Sequence, residues 1–265
     1  MRIENLKIKN DSIEDYHAKK SISASSLKYI AATSVFHYLN KKPIEQTKYM
    51  IRGNAVHTIC YEGIEEFKKQ YFVLPKLDLR KKDDKDLKVK LLEKNKGKVA
   101  LDEEEDNIIR GIYKNFNGSD KVKKWKNGII EVSHYGTYQG IDVRVRPDCL
   151  GDDWISDIKT CQDASPEKFN REIENRNYHL QAYFYCLMLG IDPHRFRFIA
   201  CETNHPFAVE VYKLDDTHIE NAEMDFERAF TFWKLYKEKG VVTGYQSQDF
   251  DDDGTIILKG WKRRK

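Results

Sequence analysis

The chain has 265 residues, with 46 Lys and Arg against 43 Asp and Glu, a formal net charge of +3, and 40% hydrophobic and 34% charged residues. That length and apolar content suffice for a sizeable core, and so small a net charge does not by itself imply a polyanionic partner. The longest apolar run, residues 182–189, falls far short of the roughly 20 residues a spanning helix needs, and MRIENLKIKNDS has no apolar h-region; neither a spanning helix nor a secretory signal is expected, and a cytoplasmic protein fits best.

Cys60, Cys149, Cys161, Cys186 and Cys201 are odd in number and form no C-x-x-C. They read as reduced, buried thiols rather than a disulfide framework or a zinc site. No internal repeat and no Gly/Ser or Pro-rich linker divides the chain.

Along the chain, residues 23–40 carry a Ser cluster and then apolar residues at helical spacing, which predicts one helix. A second helix is predicted over Gly53–Glu62, and a short strand over Gln70–Leu74, ended by Pro75. Lys76–Lys98 holds ten Lys/Arg and five Asp/Glu. It reads as a solvated loop and helix, with a basic flap touching phosphate as the functional alternative. Helical periodicity resumes over Asp102–Asn117. Strands are predicted over Ile129–Tyr135 and Tyr138–Arg146 with a turn at Gly136-Thr137, then over Trp154–Thr160 after Gly151-Asp152-Asp153. Ser165-Pro166 opens a helix over 166–176, followed by another over 178–189. Strands at Arg195–Glu202 and Phe207–Leu214 precede an amphipathic helix over Asp216–Lys239, stopped by Gly240. The expected architecture is a mixed-sheet α/β domain over 1–265: a helical N-terminal part to about 127, a sheet core over about 128–215, and a C-terminal helix and basic tail over 216–265.

Chemistry concentrates in Arg146-Pro147-Asp148 and Ser156-Asp157-Ile158-Lys159. Asp157 and Lys159 are two apart on a predicted strand, so both leave one face. The Gly-Asp-Asp turn returns the chain so that Asp148 stands beside Asp157. Two adjacent carboxylates repel unless a cation sits between them, and hard oxygen ligands in a partly open site suit Mg2+ or Mn2+. A surface hairpin with a salt bridge is the plainer reading of the same residues. His57 follows Gly53 as G-x-x-x-H on a short helix, and Gln181 and Tyr185 are i,i+4 on another.

In this order, P-D…D-x-K, G-x-x-x-H and Q-x-x-x-Y resemble the RecB-like branch of the PD-(D/E)xK nuclease superfamily. Tyr16-His17, Ser21 to Leu27, Arg52-Gly53-x-Ala55-x-His57, Arg144-x-Arg146-Pro147-Asp148, Asp157-x-Lys159-Thr160, Asp163 to Pro166 and Tyr178 to Tyr185 resemble, more narrowly, the RecE-type exonuclease (exodeoxyribonuclease VIII) nuclease domain, over roughly residues 14–260. The resemblance implies a restriction-endonuclease-like core and a Mg2+-dependent exodeoxyribonuclease, with Mn2+ as substitute and two ions per site. That enzyme digests linear duplex DNA 5′→3′ and leaves 3′ single strands for annealing recombination.

By the same resemblance, Asp148, Asp157, the main-chain carbonyl of Ile158 and His57 bind metal, with Glu131 as an extra acidic group. Lys159 positions or activates water, and Gln181 and Tyr185 support the scissile phosphate or the lysine. Arg144, Arg146, Lys168 and Arg171 are candidate DNA contacts, as is the basic tail at 259–265; cross-strand ion pairing is the alternative for the two arginines. The implied setting is a phage or prophage enzyme in a bacterial cytoplasm, a ring-shaped homo-oligomer, with a tetramer favoured, that works beside a RecT-like single-strand annealing protein. The competing readings are a Cas4-like end processor or an endonuclease, and an inactive DNA-end-binding module. The scattered cysteines disfavour an iron–sulfur cluster, and the intact Asp148, Asp157 and Lys159 disfavour a decayed site.

Overall fold

A computed structural model describes residues 3–245 of the chain. The N-terminal part opens with β1 (Glu4–Lys9), α1 (Ile13–Ala18), β2 (Ile22–Ser23), α2 (Ala24–Ala32) and α3 (Val35–Leu39). It continues with α4 (Lys48–His57), a π-helical turn at Thr58–Glu62, α5 (Ile64–Gln70), β3 (Tyr71–Leu74), α6 (Lys82–Lys94), β4 (Val99–Asp102), α7 (Glu103–Gly118) and α8 (Asp120–Lys123). The strand-rich middle holds β5 (Ile129–Ile130), β6 (Ser133–Tyr138), β7 (Ile141–Val145), β8 (Cys149–Leu150) and β9 (Ile155–Cys161). After it come α9 (Pro166–Asn175), α10 (Tyr178–Leu189), β10 (Phe196–Glu202), β11 (Val209–Tyr212) and α11 (Asp216–Lys239).

The strands form a four-stranded sheet in the order β1-β6-β7-β2, a five-stranded sheet in the order β11-β10-β9-β8-β5, and a small β3-β4 pair. Both larger sheets are mixed: β2 runs parallel to β7 and β9 parallel to β10, and the other pairings are antiparallel. The crossover from β9 to β10 passes through α9 and α10, as a parallel pair requires. Both faces of the five-stranded sheet are covered, which is why β9 and β10 are buried almost throughout. On one side Ile155, Phe196, Phe198 and Ala200 pack with α2, α10 and α11; on the other, Ile158, Ile199 and Cys201 pack with Val56 of α4 and Ile109 and Phe116 of α7. The mixed-sheet α/β expectation holds.

Several elements differ from their predicted form. The helix predicted over 23–40 is two helices. The Thr33 hydroxyl donates to Tyr29 O, and Ser34 Oγ accepts from His37 N, capping a new start. The hairpin turn lies at Gln139-Gly140, not Gly136-Thr137. Both turn residues have positive φ, 47° and 80°, which is the backbone of a type I′ hairpin. Gly136 instead lies within β6, where an added Cβ would stand 2.7 Å from the Ile3 side chain. The expected three-strand meander is split: β6–β7 belongs to one sheet and β8–β9 to the other.

The N-terminal part, expected to be helical, also supplies β1 and β2, and β1 pairs with β6. All five cysteines are buried and free. Among the described residues no helix is long and apolar enough to cross a membrane. The basic stretch at 259–265 lies outside the described residues.

Candidate active site

The site forms where β8 and β9 run antiparallel. Cys149 faces Ser156 in register, so one step further puts Asp148 opposite Asp157. The Gly151–Trp154 turn, closed by Gly151 N donating to Trp154 O at 2.9 Å, makes that return. Asp148 Oδ2 accepts from Ile158 N at 2.9 Å, which fixes its carboxylate against β9. Asp157 and Lys159 share a face of β9, toward α10, and their side chains are in direct ion contact. Ile158, between them, faces the opposite core.

Helix α10 lies over this strand because its residues are apolar nearly all round, as a buried helix requires. It directs Gln181 at the pair: Gln181 Nε2 donates to Asp157 Oδ1 at 2.6 Å, and Gln181 Oε1 faces Lys159 Nζ at 3.5 Å. Tyr178, Gln181 and Tyr185 lie along one side of α10 at i, i+3 and i+7. The Tyr178 ring lies beneath the Lys159 ammonium, 4.7 Å from centroid to Nζ.

His57 approaches from the helical side. Helix α4 runs close to β9, and a Cβ added at Gly53 would meet Thr160 Oγ1 at 3.8 Å. One turn later the His57 ring reaches Glu131 Oε1 through Nδ1 at 3.1 Å and Asp148 Oδ2 through Nε2 at 3.6 Å. A π-helical turn begins at the next residue, Thr58, the kind of helix irregularity that recurs at functional sites. Glu131 follows β5 with a left-handed backbone, φ 49°, instead of lying within a strand as expected. Its other oxygen meets Arg146 Nη2 at 3.2 Å.

Electrostatics bind these groups together. Burial and the neighbouring Asp157 push the Asp148 carboxyl up to about 6, against the opposing pull of His57 and Lys159. Burial alone would lower Lys159, but Asp157 outweighs it and holds the ammonium above the ordinary lysine range. Burial, with smaller contributions from Tyr16, Asp157 and Asp148, drives the Tyr185 phenol well above its usual value, so it stays protonated.

The donor set suits a hard divalent cation. His57 Nε2 is buried, has no hydrogen-bond partner and faces a carboxylate. Asp148 and Asp157 stand together at a cost that an intervening cation would remove. Among the described residues, no three His, Cys, Asp or Glu side chains form a ligand group by themselves. An ion here would therefore draw on main-chain oxygen, water or substrate phosphate as well, as Mg2+ commonly does.

The four expected DNA contacts are dispersed. Arg144 is buried, donates through Nη1 to Lys19 O and Ser21 O, and stacks on Tyr16. Arg146 donates to Asp11 O and Ser133 Oγ. Both arginines tie down the N-terminal segment, through carbonyls and side chains beyond the cross-strand partners considered from sequence. Lys168 is exposed on α9, and Arg171 there pairs with Glu167. A cleft beside the site is lined by Asp148 and Tyr185 together with Ser23, Lys19, Lys20 and Lys41.

Sequence reasoning missed Lys28 and Tyr178 as neighbours of the site. Lys28 Nζ donates to Gln181 Oε1 at 2.8 Å and lies 4.9 Å from the Tyr178 ring centroid. Burial, reinforced by the charge on Lys159, lowers its pKa to about 7. The i, i+3, i+7 spacing on α10 is a signal that could have found Tyr178; nothing near Lys28 marks it.

A P-D…D-x-K pair on adjacent strands of a mixed sheet, flanked by helices that deliver His57 and Gln181, is a PD-(D/E)xK-type core. Residues 23–241 match the family described as PDDEXK-like domain of unknown function (DUF3799), and the chain belongs to that family. Its fold is also that of a crystal structure from Eubacterium rectale, described as a "Putative exonuclease", with a TM-score of 0.60, 12% identity, and 96% of this chain and 97% of the other covered. No curated protein matches the chain.

Proposed function

We propose that this protein is a Mg2+-dependent exodeoxyribonuclease of the RecE type, degrading linear duplex DNA 5′→3′ to leave 3′ single strands. One observation carries the reading: Asp148, Asp157, Lys159, Gln181 and His57, from four separate elements, converge on the middle of β9. Membership of a PDDEXK-like family and the fold shared with the Eubacterium rectale protein support it.

In this reading Asp148, Asp157, the Ile158 carbonyl and His57 hold the metal, with Glu131 beside them for a second ion. When bound, the ion polarises a phosphoryl oxygen and lowers the pKa of a bound water. The chain's own residues do the rest. Lys159, held charged by Asp157, stabilises negative charge developing on the phosphate or orients the water. Gln181 keeps Asp157 and Lys159 in place, and the Tyr185 phenol lines the cleft beside them. Lys19, Lys20 and Lys41 border the cleft where a phosphate backbone would run, a sequence-independent and salt-sensitive contact. A ring-shaped homo-oligomer, tetrameric by resemblance, and a RecT-like annealing partner in a phage or prophage setting complete the proposal.

The test is a time course with Mg2+ on linear duplex DNA labelled separately at its 5′ and 3′ ends, alongside closed circular DNA. Early loss of the 5′ label with intact circles is the expected result. Cut circles would replace the proposal with an endonuclease, and early loss of the 3′ label would reverse its polarity. No hydrolysis of any substrate would leave a binding module.

A further inference from the structure

Gln181 Oε1 stands between the Nζ atoms of two lysines. Lys28 Nζ, 153 residues distant in sequence, donates to it at 2.8 Å, while Lys159 Nζ lies at 3.5 Å. The other end of the same amide, Nε2, donates to Asp157 Oδ1 at 2.6 Å. The two lysines also share a floor, with Nζ atoms 4.9 and 4.7 Å from the Tyr178 ring centroid. Lys159 has Asp157 as its counter-ion. Among the described residues no carboxylate lies within ion-pair distance of Lys28, whose close polar partner is the amide oxygen.

Lys28 Nζ can donate to the amide oxygen with or without its extra proton, so the contact does not need a second full charge beside Lys159. Lys28 therefore does two things to its neighbours. It takes up the Gln181 oxygen, which leaves the amide nitrogen turned to Asp157. It also occupies the oxygen that the Lys159 ammonium would otherwise reach on leaving Asp157.

We propose that Lys28 is a positioning residue of the hydrolytic site: it holds the Gln181 amide by its oxygen, and so keeps Asp157 oriented and Lys159 paired with it. The effect on rate rests on the nuclease reading; the effect on Gln181 does not. Side chains that orient groups at a metal site typically change activity about 10- to 100-fold when removed.

The experiment compares wild type with Lys28→Met and Lys28→Arg in the full chain by two readouts. The first is the side-chain amide signal of Gln181 in NMR spectra of the metal-free protein, assigned by its loss in Gln181→Leu. It should shift in Lys28→Met and return toward the wild-type position in Lys28→Arg. The second is hydrolysis of linear duplex DNA with Mg2+. Lys28→Met should lower kcat about 10- to 100-fold with KM changed less than about twofold, Lys28→Arg should recover part of the loss, and the thermal midpoint should not fall. An unmoved Gln181 signal overturns the proposal whatever the activity. So does an unchanged kcat, a loss carried wholly by KM, or a loss that tracks unfolding. If the wild-type chain hydrolyses no DNA, the nuclease reading fails alone, and the Gln181 signal decides the role of Lys28.

Discussion

Gln181 Nε2 donates to Asp157 Oδ1 at 2.6 Å, and Asp157 is only 1% exposed, so this amide supplies the carboxylate with a short bond where water cannot. Replacing Gln181 with Leu leaves a buried acceptor unmet, a change that costs about 1–3 kcal/mol. It also frees both lysines from their common acceptor. Gln181→Leu should lower stability by about that amount and hydrolysis about 10- to 100-fold. Denaturant unfolding and initial rates on linear duplex DNA check the two effects; a variant as active as wild type would remove Gln181 from the site.

Asp157 and Lys159 form an ion pair of which little is exposed, 1% and 15% by side chain. Removing one partner strands the other, which for a buried pair costs about 3–5 kcal/mol. Lys159→Met should therefore be strongly destabilised in the metal-free protein, and adding Asp157→Asn should restore much of the loss, while on the proposed mechanism neither variant should hydrolyse DNA. A double-mutant unfolding cycle in chelator measures the coupling. Strict additivity would mean that the two groups do not share a charge interaction.

How much of this site can be read from sequence depends on whether the signal is local. Asp157 and Lys159 on one face follow from the two-residue strand period, and α10 follows from the apolar run over residues 182–189, stopped by Gly190, whose backbone is left-handed. Asp216–Lys239 is bounded by an Asp215 cap and Gly240, both visible in the sequence. By contrast, pairing β1 with β6 and sending β6–β7 and β8–β9 to different sheets depend on long-range packing, which no local pattern encodes. Arg144 and Arg146 alternate with apolar residues in the manner of exposed strand positions, yet both turn inward because the N-terminal segment offers them carbonyls. The glycine at 136 misled the turn assignment because a close-packed strand and a tight turn both use that residue.

Burial and Asp157 raise Asp148 from the ordinary 3.8 to about 6. Between those values the folded chain binds more protons than the unfolded one, so stability falls as pH rises. The contribution is fully present below about 3.8 and is lost as pH passes through about 6. In chelator, Asp148→Asn should thus gain on wild type between pH 4 and 7, and Mg2+ at pH 8 should recover stability for wild type but not for the variant. Thermal midpoints across pH with and without Mg2+ test this. A difference that stays constant across the range would mean that Asp148 is not shifted.

Arg144 was expected to meet DNA, but it is buried, its Nη1 is given to Lys19 O and Ser21 O, and its Cζ lies 4.9 Å from the Tyr16 ring centroid. Arg144→Ala removes the charged donor that the Lys19 and Ser21 carbonyls share, at about 1.5–3 kcal/mol, and releases the segment that carries Lys19 and Lys20 past the cleft. It should lower stability and open residues 17–21 to proteolysis. Lys19→Ala, on an exposed side chain, should leave stability within about 0.5 kcal/mol. If Lys19 touches phosphate, the same variant should weaken DNA binding and flatten its salt dependence by about one unit of slope. Unfolding curves, limited proteolysis and binding at several salt concentrations separate the two residues. An Arg144→Ala chain that is fully stable but weaker in DNA binding would return the arginine to the nucleic-acid surface.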